Sequence, residues 1–115
     1  MPSGKVQYIS SMGTRGTLDA PITEVTSAYY TTSEEELFIL CNRTSSGTVT
    51  INLIAGAYHV TGTVVVKDKK GDAGTNTVTV NPSGFETIDG ASSKTITANQ
   101  GAFTLVFSGT EWSVV

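Results

Sequence analysis

The chain has 115 residues, enough for one domain and too few for two comfortable ones. Only 38% of its residues are hydrophobic and 15% are charged, well under the roughly 25% charged of an ordinary soluble domain, so Thr, Ser, Gly and Asn fill the surface. That composition suits a protein partly covered by other protein, while a net charge of −3 argues against nucleic acid or an anionic membrane as the main partner.

Residues 1–28 read as an extended N-terminal arm. Gly4, Gly13, Gly16 and Pro21 interrupt every candidate pattern, and the apolar residues Val6, Tyr8, Ile9, Leu18 and Ile22 are sparse. Met1-Pro2-Ser3-Gly4 leads into no apolar run of the kind a signal peptide carries. No stretch approaches the ~20 apolar residues that span a bilayer.

From Tyr29 the period becomes two, and residues 29–115 read as a single β domain. Leu37 to Cys41 is a continuous apolar run, fit for a strand covered on both faces. Ser33-Glu34-Glu35-Glu36 before it has capping-box spacing, but a strand-like run follows, so an acidic turn is expected. Thr48 to Leu53 alternates polar and apolar residues without error, as a half-buried strand does. Thr63-Val64-Val65-Val66 is β-branched throughout, which suits a pleated sheet and restricts a helix. Lys67 to Asn76 is a polar loop, Thr77 to Asn81 alternates again, and shorter pieces follow at Glu86–Ile88 and Lys94–Thr97 with a turn at Asp89-Gly90. Ala102 to Phe107 pairs with Glu111 to Val115 across the tight turn Ser108-Gly109-Thr110. The fold class expected is all-β, a small antiparallel β-sandwich or barrel-like module with an extended N-terminal arm.

Candidates for chemistry are few. Cys41 is the only cysteine, so no intrachain disulfide forms and no zinc cluster is built; inside its apolar run it reads as a small buried hydrophobe in a protein folded in a reducing cytoplasm. His59 is the only histidine, so any Ser-His-Asp or Cys-His catalysis runs through it; a surface or half-buried side chain is the plainer reading. Asp68 and Asp72 flank Lys69-Lys70-Gly71 without the ligand density of a calcium loop. The ten acids offer too many carboxylate pairs for any one to mean glycosidase chemistry. No catalytic residue, metal site or cofactor is expected, and the protein reads as a non-enzyme.

A larger pattern runs from about Leu37 to the C-terminus. Gly62-Thr63-Val64-Val65-Val66-Lys67-Asp68-Lys69-Lys70-Gly71-Asp72-Ala73-Gly74-Thr75-Asn76 precedes Thr77-Val78-Thr79-Val80, then Gly84 to Gly90, Thr95-Ile96, Gly101, Thr104-Leu105 and Gly109-Thr110-Glu111-Trp112. In this order the elements resemble a β-rich module of tailed-bacteriophage capsid decoration (cement) proteins, tail fibres and tailspikes. The resemblance implies a trimeric virion structural protein. A chain that begins at its own Met1, with only a short arm before the module, resembles a stand-alone cement protein more than one piece of a fibre. The expected function is therefore capsid decoration, binding the mature head as a homotrimer through the major capsid protein, on the outer surface of the virion. The expected capsid contacts are Lys5, Tyr8, Arg15 and Leu18 of the arm. The chain ends on Trp112-Ser113-Val114-Val115 with no polar tail. An apolar terminal strand needs cover, which makes Phe103, Leu105, Trp112 and Val114 the expected trimer interface. The alternative is a tail-fibre or tailspike component or a receptor-binding tip, with Tyr29, Tyr30 and Tyr58 as natural contacts to the host surface.

Overall fold

A computed structural model describes the backbone of residues 5–12 and 14–115 and the side chains of residues 21–115. The fold is all-β: among the described residues there are ten strands in two sheets, with a single 3₁₀ turn at Gly56–Tyr58. The strands are β1 (Lys5–Met12), β2 (Thr14–Val25), β3 (Tyr29–Thr31), β4 (Phe38–Cys41), β5 (Val49–Asn52), β6 (Thr63–Asp68), β7 (Val78–Asn81), β8 (Lys94–Ile96), β9 (Ala102–Phe107) and β10 (Trp112–Val114). One sheet has the order β1-β2-β4-β6-β9-β10 and the other β3-β5-β7-β8. Among the described residues no helix is long and apolar enough to cross a membrane.

The pairing is mixed rather than antiparallel. From β2 to β7 the chain changes sheet at every connection, rising in one sheet and descending in the other, so successive strands of the same sheet run the same way. The ladders β2·β4, β4·β6, β3·β5 and β5·β7 are accordingly parallel. After β7 the chain turns back within its own sheet, and β7·β8, β6·β9 and β9·β10 are antiparallel. Alternating sequences alone do not distinguish the two arrangements, because the period is two in both.

The alternation seen in the sequence is the inside–outside alternation of the sandwich. Ile39 and Cys41 of β4, Val49 and Ile51 of β5, Val64 and Val66 of β6, and Val78 and Val80 of β7 point inward, each buried, and form one core with Val25, Leu53, Ala73, Ile88, Ile96, Leu105 and Trp112. Parallel register stacks like upon like: Val49 lies beside Val78 and Ile51 beside Val80. On the outer face the same register puts Asn52 beside Asn81, and the Asn81 amide donates to Asn52 Oδ1 at 3.3 Å. Phe38 and Leu40, expected to be covered on both faces, alternate with the buried pair and are only half-buried.

The sheet reaches upstream of residue 28. Ile22 to Val25 of β2 pair with Phe38 to Cys41, and Val25 is buried in the core. The first part of β2 pairs instead with β1, in a register running from Lys5 opposite Pro21 to Met12 opposite Thr14.

The connections fall into two sets. Those after β3, β5, β7 and β9 gather at one end of the sandwich, and those after β2, β4, β6 and β8 at the other.

Candidate functional site

The end formed by residues 32–37, 53–62, 82–93 and 108–111 holds most of the buried polar chemistry. Glu36 is buried there, and its carboxylate accepts from the Thr23 hydroxyl, the Tyr30 hydroxyl and the Ser33 backbone N–H, the last at 2.5 Å. The Ser33–Glu36 bond is the reaching-back half of a capping box with no helix after it. The chain there makes a turn at Glu34-Glu35 and enters β4.

His59 follows the 3₁₀ turn and is 5% exposed, deeper than the surface or half-buried position expected of it. Its Nε2 lies 3.2 Å from the Thr32 hydroxyl, and its ring meets Trp112 edge-on with centroids 5.3 Å apart. Nδ1 is buried without a hydrogen-bond partner. Desolvation holds the imidazole pKa below its ordinary value, with the charges of Glu36 and Glu86 pulling the other way. Thr32 is itself buried and accepts from the Ile54 N–H, so its hydroxyl is a structural bridge between two loops. Cys41 closes β4 at the opposite end of the sandwich from the loop that carries His59, so the two cannot act as a dyad. Burial, with a lesser push from Asp68, raises the Cys41 thiol to about 12.

Trp112 is fully buried and packs on Phe107. Its indole N–H donates to Glu86 at 3.3 Å, and the same carboxylate accepts from the Gly56 N–H at 3.1 Å. A side chain at Gly56 would stand 2.1 Å from the Phe107 ring, so only glycine fits. Ile88 bridges both Ala91 and Trp112, with Asp89 and Gly90 at φ 50° and 79° as a two-residue hairpin turn between left-handed positions. Glu111 accepts from the Thr87 hydroxyl at 2.9 Å and the Gly90 N–H at 3.2 Å. Val60 N–H donates to the Glu34 carbonyl at 2.8 Å. The four loops are thus laced into one cap.

The cap is acidic. It carries Glu34, Glu35, Glu36, Glu86, Asp89 and Glu111, six of the ten acids, with exposed Lys94 at its border where β8 begins. Its surface also shows Tyr58, Val60 and Phe85, three of the large exposed apolar side chains. The opposite end carries Arg43, Lys69 and Lys70 against Asp72 in its connections, with Tyr29 exposed at the start of β3. Lys69 pairs with Glu24 at 2.7 Å and holds that carboxyl below the ordinary carboxylate range. Lys70 donates to the Ser45 carbonyl at 3.0 Å.

Asp68 and Asp72 take no part in a shared ligand set. Asp68 is buried and accepts from the backbone N–H groups of Gly71, Ala73 and Gln100 at 3.0, 2.9 and 3.1 Å, while Asp72 accepts from the Asn76 amide at 2.9 Å. Among the described residues no three His, Cys, Asp or Glu side chains are placed to hold a metal ion.

The expected contact residues divide. Lys5 and Tyr8 fall in β1, and Arg15 and Leu18 in β2, with Tyr8 opposite Leu18; their side chains lie outside the described residues. Of the four residues assigned to a trimer interface, Leu105 and Trp112 are enclosed by the chain's own core and present no surface to a partner. Phe103 and Val114 are half-buried against that core and keep some area. The reasoning from an apolar C-terminal strand missed that the chain's own sandwich encloses Leu105 and Trp112, while β10 stays an edge strand and Val115 stays exposed. It also missed the acidic cap, whose residues are scattered over four segments and gathered only by the topology.

The chain matches no family model, and no curated protein is similar to it in sequence.

Proposed function

We propose that this chain is a virion structural protein that decorates and stabilises the mature head of a tailed bacteriophage as a homotrimer, without enzymatic activity. The observation that carries the reading is what the resembling motifs do in the fold. Lys67-Asp68 through Asn76 is the loop organised around the Asp68 carboxylate. Thr87-Ile88-Asp89-Gly90 is the hairpin seated against Trp112, and Glu111-Trp112 locks that hairpin to the last strand. The ordered motifs are turn and core anchors of one module, which is what a structural scaffold requires of them. The single histidine and single cysteine are both buried, at opposite ends of the sandwich, which also favours a structural role.

Such a protein acts by linkage: it binds the expanded shell and not the broken one, so each bound copy shifts the balance toward the intact particle. Several copies in one oligomer raise the effective concentration of the remaining contacts once the first is made. The N-terminal ribbon, with Lys5, Tyr8, Arg15 and Leu18, is assigned to the major capsid protein, and the outer surface of the virion is the place of action. Tyr29 and Tyr58, 72% and 65% exposed, favour a second reading in which the chain is a tail-fibre or tailspike component that touches the host surface.

Co-sedimentation with mature heads that lack the protein, run beside intact host cells, tests both. Saturable binding to heads and none to cells is expected. Binding to cells alone would replace decoration with receptor binding, and binding to neither would remove both.

A further inference from the structure

Among the described residues, His59 Nδ1 is the buried side-chain nitrogen or oxygen left without a hydrogen-bond partner. Its ring sits between Thr32, whose hydroxyl meets Nε2 at 3.2 Å, and Trp112, which it meets edge-on. A neutral imidazole leaves one polar atom unmet there and carries no charge. An imidazolium has two N–H groups to place, and the site offers one hydroxyl, which already accepts from the Ile54 N–H. A buried charge short of hydrogen bonds is much the costlier state. The charged groups that face the ring are Glu36, from the turn before β4, and Glu86, from the turn after β7. Both carboxylates are engaged: Glu36 accepts from Thr23, Tyr30 and the Ser33 N–H, and Glu86 from the Gly56 N–H and the Trp112 indole. On the other cap loops, Glu111 accepts from Thr87 and the Gly90 N–H, and Asp89 from the Val114 N–H. Glu34 meets the His59 loop through its carbonyl, which accepts from the Val60 N–H.

We infer that His59 is an acid-sensitive latch of the cap: on taking up a proton its ring leaves Trp112 and residues 55–61 open, while the far end of the sandwich stays closed. The protonated ring turns to water and to the Glu36 and Glu86 carboxylates, which favour its charge. Drawing Glu86 away from Gly56 and Trp112 loosens the same segment, so ring and loop release together. The segment has anchors at both flanks, the Ile54 N–H on Thr32 and the Gly62 carbonyl under the Phe107 N–H. Tyr58 and Val60, on either side of His59, are exposed and add no burial to hold it. The closed form binds the proton less readily than the open one. Opening therefore grows as the pH falls below the ordinary histidine value, by up to about tenfold per pH unit. The latch is independent of the decoration reading, since it concerns the chain alone.

The single tryptophan and the single cysteine report on opposite ends of the sandwich, so the purified full chain carries its own test. Trp112 emission and the reaction of Cys41 with dithiodipyridine, a thiol reagent active in acid, are followed from pH 7.5 to 5.0. Emission should move to the red as the pH falls below about 6.5, while Cys41 stays protected and the far-ultraviolet dichroism is unchanged. His59→Phe and His59→Gln have no ring to titrate and should hold the emission constant over the same range, with a thermal melt at pH 7.5 checking that each folds. Where neither folds, the imidazole titration of the wild-type chain followed by NMR decides, and it must coincide with the Trp112 shift. Constant wild-type emission, or quenching without a shift, would mean that the ring stays in place and would overturn the latch. Cys41 reacting over the same range would replace local opening with unfolding of the whole molecule, and a shift retained in the His59 variants would remove His59 from it.

Discussion

Asp68 is fixed by three backbone amides that reach it from two loops, and it fixes them in return. It lies opposite Cys41 in the β4·β6 ladder, at a point where the core runs out and the loop must close. Hydrogen bonds to a charged acceptor contribute about 1.5–3 kcal/mol each, and removing the acceptor leaves buried donors unmade. Asp68→Ala should therefore lower the unfolding free energy by at least about 3 kcal/mol, read from urea denaturation. Tyr30→Phe removes one bond to the Glu36 carboxylate and should cost about 1.5 kcal/mol in the same measurement.

Cys41 and His59 give two chemical readouts at the same scale. With its thiol pushed up to about 12 and its side chain buried, Cys41 should resist alkylation at pH 8 in the native protein and react on unfolding; fast native labelling would contradict its placement. His59 is neutral in the fold because burial disfavours its charged form. Its folded pKa is lowered, so the folded state binds fewer protons than the unfolded state once the pH falls below the ordinary histidine value. The stability His59 contributes is thus complete above about pH 6.5 and is lost as the pH falls from there toward the folded pKa. Glu36 and Glu86 face the ring and reduce this loss without reversing it. Melting temperature measured from pH 7.5 to 5.5 should fall, and His59→Phe should flatten that fall.

At the scale of elements, the strands were legible because their side chains alternate, and Thr63–Asp68 and Val78–Asn81 emerge within a residue or two of the runs that announced them. The hairpin at Ser108-Gly109-Thr110 is as read, with Gly109 at φ 106° and the Ser108 N–H donating to the Glu111 carbonyl at 2.9 Å. Glu86–Ile88 is not a strand, because Glu86 is drawn to Gly56 and Trp112 and only Ile88 makes bridges. The parallel ladders were not legible: pairing direction follows from which sheet each connection leads to, and turn residues such as Asn42 to Gly47 serve a sheet change as well as a hairpin. The buried contacts of Glu36 with Thr23 and Tyr30 and of His59 with Thr32 and Trp112 were equally hidden, since their members are distant in sequence and each has an ordinary surface reading when taken alone. The ladder of Ile22–Val25 with Phe38–Cys41 begins beyond residue 20. A chain starting at Pro21 should therefore still unfold cooperatively, while losing at least about tenfold in head binding if the ribbon makes the capsid contact. Unaltered binding by that truncated chain would move the contact off the ribbon.

For the whole molecule, the two ends differ in charge. A sandwich that changes sheet at each step collects alternate connections at opposite ends, and here one set is acidic while the other pairs Lys69 with Glu24 and Lys70 with Asp72. The low charge elsewhere leaves Thr, Ser and Asn faces that tolerate contact with other protein without burying unpaired ions. A fixed scaffold and a ribbon pairing Lys5–Met12 with the first part of β2 are the two parts on which the decoration proposal rests.

The measurement that tests decoration most directly is the temperature at which DNA escapes from mature heads lacking this protein, before and after saturation with the purified chain. The expected result is an upward shift that grows with occupancy and levels off when the sites are full. Heads that bind the chain yet release DNA at the same temperature, or that do not bind it at all, would contradict a role in stabilising the shell.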